Sequence, residues 1–438
     1  MTFQQLVTVP RHEHKETPMP HPNTPPATRK RLLVIEPMSS GLTLLGAARD
    51  LGLETVVFSH DAADRVVPEG ARGEIDLFVA VDTNDPAALA EAAAEVHART
   101  PLSGVVSGSE FYVDAAARLA HLLGLAGQPI ETAEAVRDKT LMRAMLAKAG
   151  IRIPRYAEVL TAADLDDAAE TVGFPCVLKP AAGSGSIQVS RVEDSGQLKS
   201  AYRTLADHAD FVFDQPEDGR ALVEQYLVGP EYSVEGYVHQ GRVTIVSVTR
   251  KLLGAEPYFV ELGHVVRADL APDVRSAVED YTSAVVTCLG IALGPFHAEL
   301  RLTNEGPVLI EVGARLAGDR IAELITLATG VSLRHVMVAS HVGLDPESAW
   351  PRALPAAEYA GVHFFTAPGL TTLHRIEGLD ALERHPSVAE VRMYLGPGDS
   401  IPAARDLRCR LGHVIFTADS ADQEAELRAW AAATARFA

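Results

Sequence analysis

The sequence predicts a mixed fold, an α/β domain followed by a longer α+β region. Three observations carry this. Between residues 31 and about 130, short apolar runs alternate with helical stretches, the pattern of a parallel sheet with helices on its faces. From about residue 131 strands dominate, separated by turns more often than by helices. The 438 residues are 47% hydrophobic and 22% charged, an ordinary globular composition with no apolar stretch of membrane-spanning length.

The first expected strand is the apolar run 31–36. The small-residue turn Met38-Ser-Ser-Gly41 follows it and opens a helical pattern over 42–51. Further strands are expected at 54–58, 77–81 and 104–107, with helices at 86–99 and 112–123. Residues 31–130 therefore read as a Rossmann-like domain. No G-x-G-x-x-G follows its first strand, so no dinucleotide is assigned and Gly41 reads as a helix start. Ser107-Gly-Ser-Glu110 follows a strand, where α/β sheets place ligands, and is either a substrate contact or a plain strand-to-helix turn.

The ends and the charge exclude several classes. Residues 1–30 hold six prolines and no apolar h-region, so they read as a disordered tail and not as a signal peptide. His12, His14 and His21 in that tail make at best a weak metal site. A net charge of −19 argues against a nucleic-acid partner, which is gripped by excess Lys and Arg. Cys176, Cys288 and Cys409 are too scattered for a zinc site or a disulfide framework, and a cytoplasmic setting is expected.

Beyond residue 131, a helix is expected over 138–149, ended by Gly150 as its C-cap. Strands are expected at 176–179, 187–191, 222–226, 232–239 and 243–251, then a long helix over 272–289. Two more strands precede helices through 319–342. Strands at 359–366, 388–394 and 410–417 and a final helix complete the chain.

The strongest local signal is the pair of strands in 296–315. Asn304-Glu305-Gly306 is a turn signal. A hairpin centred on Glu305 sets 303 against 307 and Glu299 against Glu311. In that register Ala298, Leu300, Leu302, Val308, Ile310 and Val312 share an apolar face, while His297, Glu299, Arg301, Glu311 and Arg315 share the other. Two carboxylates about 5 Å apart repel by roughly 3 kcal/mol at an effective dielectric near 20. Oxygen-only ligation on rigid strands suits magnesium. A solvated face with Arg301 pairing one glutamate fits the same pattern.

Two further segments suit a phosphate-bearing ligand. In 174–189 a strand ends on Lys179 and passes into Gly183-Ser184-Gly185-Ser186, where small residues let backbone N–H groups approach an anion. It is not a Walker loop, and an ordinary hairpin turn has the same composition. Lys139 begins a helix within reach of a phosphate or of solvent. In 222–235 two strands flank Gly229-Pro230. Glu224, Gln225, Tyr226 and Leu227 offer a backbone edge to an adenine, and Glu231 an acceptor to ribose hydroxyls.

In this order the segments resemble the ATP-grasp superfamily, over roughly residues 130–340. The resemblance implies an ATP-grasp domain over 131–340, with a lid at about 151–228, between the Rossmann-like domain and a C-terminal α+β region at 341–438. It implies that Lys139 and Lys179 hold ATP phosphates under the 183–186 loop. Glu224 to Leu227 would receive adenine and Glu231 ribose. Glu299 and Glu311 would hold magnesium, or manganese in its place, and Arg315 would stabilise the transferring phosphoryl group. Many members read Glu-x-Asn-x-Arg at the last metal strand, where this chain has Glu311-Val-Gly313-Ala-Arg315, which puts a second metal in doubt.

Within the superfamily, Ala314-Arg-Leu-Ala-Gly318 and Glu261-Leu-Gly-His264 resemble the L-amino acid ligases. That likeness implies Glu261 near a substrate ammonium and His264 orienting substrate or assisting proton transfer; without it, both would read as surface-loop residues. Asp319-Arg320 stands where some relatives have an aromatic residue, which suggests a more polar substrate. The implied activity is an ATP-dependent carboxylate–amine ligase working through an acyl phosphate on amino-acid substrates. Ligases of another substrate class, cyclising or carboxylase-type, and a non-catalytic ATP binder remain alternatives. A homodimer is left open on base rate alone.

Overall fold

The computed structural model describes residues 29–207, 215, 219–350 and 352–438. The expected tail, apart from its last two residues, and its three histidines lie outside these, as does part of the expected lid. The N-terminal strands β1 (Arg31–Ile35), β2 (Glu54–Ser59), β3 (Leu77–Ala80) and β4 (Gly104–Ser107) form one parallel sheet in the order β3-β2-β1-β4. Parallel pairing follows from the helices Thr43–Asp50, Glu69–Arg72 and Pro86–Arg99 between the strands. Three of the four strands are almost wholly buried, as strands covered on both faces are.

A second sheet of four antiparallel strands follows: β5 (Tyr156–Val159), β6 (Cys176–Pro180), β7 (Ser190–Val192) and β8 (Ala221–Gln225), in the order β5-β8-β6-β7. Helices Leu165–Val172 and Ser195–Asp207 cover it, with Leu165, Val172, Leu198 and Leu205 in its core. The strand expected at 187–191 starts only at Ser190. Ser186 and Gln188 have φ of 58°, a left-handed backbone that no strand continues.

The largest sheet has eight strands, all antiparallel. Its members are β9 (Glu231–His239), β10 (Arg242–Leu253), β11 (Glu261–Val266), β12 (Gly294–Thr303), β13 (Gly306–Gly313), β14 (Tyr359–Phe365), β16 (Val388–Met393) and β17 (Gly412–Ala418). Their order is β13-β12-β9-β10-β11-β14-β17-β16. The two-residue strands β15 (Ile376–Glu377) and β18 (Arg436–Phe437) pair separately. The strands after residue 340 thus extend the sheet of the strands before it. The helices Ile321–Thr329 and Leu333–His341 lie in one apolar cluster with Leu32, Val34 and Leu44 of the first domain and with Val362 and Phe364 of the large sheet. No single helix among the described residues is long and apolar enough to cross a membrane.

The β12–β13 hairpin corrects the expected register and keeps its result. The turn is two residues long, with Thr303 opposite Gly306 and Leu300 opposite Leu309, one residue off a hairpin centred on Glu305. A β-bulge at Ile310 then restores Glu299 opposite Glu311. The bulged carbonyl of Ile310 accepts a hydrogen bond from Arg143 Nη2 at 2.6 Å. In consequence Leu309, not Ile310, enters the core.

Gly41 is more than a helix start. A Cβ there would stand 1.9 Å from the carbonyl oxygen of Gly108, and one on Gly108 would stand 2.4 Å from that of Glu36. The loops after β1 and β4 therefore pack backbone to backbone. Gly41→Ala is expected to destabilise the protein by about 1–3 kcal/mol, the usual cost of overpacking, as measured by chemical denaturation.

Candidate active site

A cavity of about 760 Å³ opens where the three sheets meet, within the size range of small-molecule sites. Every residue expected in the site lines it: Lys139, Lys179, Gly183 to Ser186, Glu224 to Leu227, Glu231, Glu261, His264, Glu299, Glu311, Arg315 and Asp319. The loops after β1 and β4 add Met38 to Gly41 and Ser107 to Phe111.

On one side stand the lysines. Lys179 ends β6, is buried, and its Nζ lies 2.5 Å from Glu224 Oε2. Burial, aided by Arg143 and Lys139, outweighs Glu224 and holds the Lys179 ammonium below its usual range. Glu224 also accepts from Arg143 Nε at 2.7 Å. The Glu224 carboxylate, expected at an adenine edge, therefore faces Lys179 instead. Lys139 follows the N-cap Asp138 at the head of the helix Lys139–Lys148. Its Nζ donates to the Gly183 carbonyl at 2.9 Å and lies 3.1 Å from Glu311 Oε2. Gly185 has φ of 70°, a left-handed backbone that favours glycine, and a Cβ there would stand 2.3 Å from Leu407 Cδ2 and push that side chain aside.

At the centre is a residue that the sequence reading passed over. Lys251 of β10 is buried, and its Nζ lies 2.5 Å from Glu261, 2.6 Å from Glu299 and 3.2 Å from Glu231. Burial disfavours its charge, but the three carboxylates outweigh burial and hold its pKa well above the usual value. Strand alternation puts Lys251 on the same face as the buried Thr249 and opposite the exposed Arg250. His297 adds a second cation at Glu299, with Nδ1 2.9 Å from Glu235 and Nε2 3.1 Å from Glu299. Burial opposes its protonation, yet the two carboxylates push it up to about 9.

The donor set fits a divalent cation of the magnesium class. Glu299 and Glu311 face each other on paired strands and offer only oxygen. Each already carries a positive group, Lys251 and His297 on the first and Lys139 on the second. At the third position, a Cβ on Gly313 would stand 3.1 Å from Glu110 Oε2 and 3.3 Å from Arg315 Cγ. The space for an asparagine side chain there is taken by the ion pair of Glu110 and Arg315.

That pair joins the loop after β4 to the end of the large sheet. Glu110 also meets Arg137 Nη1 at 3.2 Å. Burial alone would raise its pKa, but Arg315 and Arg137 together bring it down to about 2 from an ordinary 4.5. A carboxyl depressed in this way stabilises the fold fully above pH 4.5, and that contribution is lost as the pH falls through 2. Glu110→Gln is therefore expected to cost about 3 kcal/mol near neutrality. The gap from the parent should narrow steadily below pH 4.5 in urea titrations.

On the far side lie Glu261, His264 and Asp319. Glu261 and His264 belong to strand β11, and His264 is fully buried; the surface loop that composition alone suggested is not found. His264 Nε2 lies 3.2 Å from Asp319 Oδ2, and its Nδ1 has no partner among the described residues. Burial outweighs Asp319 and lowers its pKa, so the ring is neutral near pH 7. Arg410, just before β17, binds Asp319 through Nη1 and Nη2 at 2.7 and 2.8 Å, and its guanidinium carbon lies 3.8 Å from the ring centre of Phe364. Arg320 does not line the cavity and pairs with Glu390 instead. The expected Asp319-Arg320 pair is thus split, and the cation beside Asp319 comes from the C-terminal region.

Uncharacterized protein y4rH of Sinorhizobium fredii is 31% identical over 397 residues, which is 90% of this chain and 79% of that protein. Residues 172–323 match an ATP-grasp domain, and residues 45–127 an ATP-grasp N-terminal domain. The chain belongs to the ATP-grasp family. Within this family, residues 363–438 match L-amino acid ligase C-terminal domain 2. Dapdiamide A synthase of Enterobacter agglomerans is 32% identical over 237 residues, about half of each chain (53% and 54%). The crystal structure of an L-amino acid ligase from Bacillus licheniformis shares the ATP-grasp fold. Its TM-score is 0.80 over 94% of this chain and 98% of that one, at 24% identity. The chain is thus an ATP-grasp ligase with L-amino acid ligases among its relatives.

Proposed function

We propose that the protein is an ADP-forming carboxylate–amine ligase that joins two amino acids through an acyl phosphate. The observation that carries this reading is the joining, in one cavity, of a paired-carboxylate hairpin flanked by lysines and Arg315 to the half-buried carboxylates Glu261 and Asp319 around the buried His264. The first half suits phosphoryl transfer and the second suits an amine.

Lys139 and Lys179 hold the phosphates of ATP, and the 183–186 loop lies over them. The segment from Gln225 to Leu227 edges the adenine, and Glu231 takes the ribose. Glu299 and Glu311 would hold magnesium, which when bound would offset phosphate charge. A substrate carboxylate oxygen attacks the γ-phosphorus while the bond to the β-phosphate oxygen breaks and ADP departs. Arg315 stabilises the charge of the transferring group, the main source of rate in such steps. The second substrate brings its ammonium to Glu261. Neutral His264, held by Asp319, accepts a proton as the free amine attacks the acyl carbon and phosphate leaves. Asp319 at the wall, held from behind by Arg410, favours a polar substrate.

Phosphate release from ATP and magnesium across pairs of amino acids, with mass spectrometry of the products, tests this. Release that needs two amino acids and yields their summed mass less water is the expected result. Release without any amine, or none with any pair while ATP still binds, overturns it and sends the search to other acids and amines.

A further inference from the structure

Arg301 of β12 has no part in the steps above, yet it is buried and fully engaged. Its Nη1 donates to the Leu227 carbonyl at 2.6 Å, and its Nε lies 3.2 Å from Glu231 Oε2. Its guanidinium carbon lies 5.3 Å from the ring centre of Tyr226 and 5.2 Å from that of Phe259. A second arginine, Arg191 of β7, lies 4.4 Å from the Tyr226 ring.

The segment it holds needs holding. Residues 226–230 connect β8 to β9 outside any strand. They lie close on β12: Leu302 N donates to the Pro230 carbonyl at 3.0 Å, and a Cβ on Gly229 would stand 2.1 Å from the Leu302 carbonyl oxygen. Arg301 adds the polar tie. A guanidinium can bind a carbonyl and a carboxylate at once while lying between two rings, and an ammonium cannot reproduce that. Glu231 is then fixed at both oxygens, by Arg301 at Oε2 and by Lys251 at Oε1.

We propose that Arg301 is a positioning residue for the adenosine nucleotide, fixing the Leu227 backbone and the Glu231 carboxylate against which base and ribose are read. It governs nucleotide affinity and purine choice more than the rate of phosphoryl transfer. This rests on the reading of 225–231 as the nucleotide edge.

The test is calorimetric binding of a non-hydrolysable ATP analogue, and of the matching GTP analogue, to the parent chain, Arg301→Met and Arg301→Lys. Arg301→Met is expected to bind the ATP analogue about ten- to a hundredfold more weakly, the loss of a charge-assisted hydrogen bond, and to prefer it less over the GTP analogue. Arg301→Lys keeps a cation beside Glu231, so it remains informative if the methionine variant fails to fold. It should recover only part of the loss. In turnover, KM for ATP should rise while KM for the other two substrates stays put; a general loss of structure would move all three. A parent chain that binds no nucleotide overturns the reading of the segment and the proposal with it. Full affinity and unchanged purine preference in Arg301→Lys, with a nucleotide-binding parent, overturn the proposal alone.

Discussion

Lys251→Met is expected to destabilise the protein by about 3–5 kcal/mol, the range for leaving buried charge without its partner. Glu231, Glu261 and Glu299 all converge on Lys251 Nζ. Carboxylate oxygens from the three lie within 4.8 Å of one another. Without the ammonium they must take up protons or spread apart. Protonation is the easier route, so their pKa values in the folded variant should lie above those in the unfolded chain. The deficit should therefore be largest at pH 8 and shrink toward pH 5, in the same direction as the Glu110 case but at higher pH. Arginine in its place should restore little, because a planar fork does not fit a pocket shaped around a point charge. Thermal unfolding of the three proteins at two pH values decides it; a deficit independent of pH would mean that Lys251 acts by packing.

Arg315→Met is expected to lower kcat by about a thousandfold, in line with losing the cation that stabilises a phosphoryl group in transit. Nucleotide affinity should change far less, because the lysines and the adenine edge are untouched. The substitution also strips Glu110 of one of its two arginines. A double variant carrying Glu110→Gln separates the effects: it should recover stability and stay as slow. Rapid-quench measurement of ADP formation is the readout, since steady-state turnover would mix chemistry with product release. A double variant as fast as the parent would show that the arginine serves the fold and not the reaction.

The contrast between these two residues shows what a linear sequence discloses. Arg315 stands four residues after Glu311 in a segment whose composition announces a site. Glu299 and Glu311 are twelve residues apart, and strand alternation brought them face to face even though the assumed turn was one residue off. The bulge that corrected it depends on Arg143, buried 167 residues away from Ile310, and no local pattern encodes that. Lys251 and Arg410 were missed for the same reason, since their partners come from other strands and a single charged residue in a strand looks solvated. Arg301 was read as a neighbour for a metal glutamate, while its contacts lie at Leu227 and Glu231. Short-range alternation was legible in the lid strands β6 and β8, but β5 is only four residues long, and the helices Leu165–Val172 and Ser195–Asp207 were passed over although Leu165, Ala168 and Val172, and Leu198, Tyr202 and Leu205, recur at helical spacing. The N-terminal sheet was the easiest to read, because buried parallel strands are continuous apolar runs.

The order of the large sheet has a consequence for how such a protein changes its clientele. On the proposed assignment, the strands that serve ATP, β13, β12 and β9, lie toward one edge, and β11, which meets the amine, lies on the far side of β10, backed by β14 and β17. Lys251 stands on β10, on the seam. Drift in the last hundred residues can change the wall at Leu407 and Arg408 and the support that Arg410 and Phe364 give Asp319, while the phosphoryl machinery is inherited intact. A breeder of new specificities would leave the first edge alone and sow variation in β14, β17 and the segment leading into Arg410.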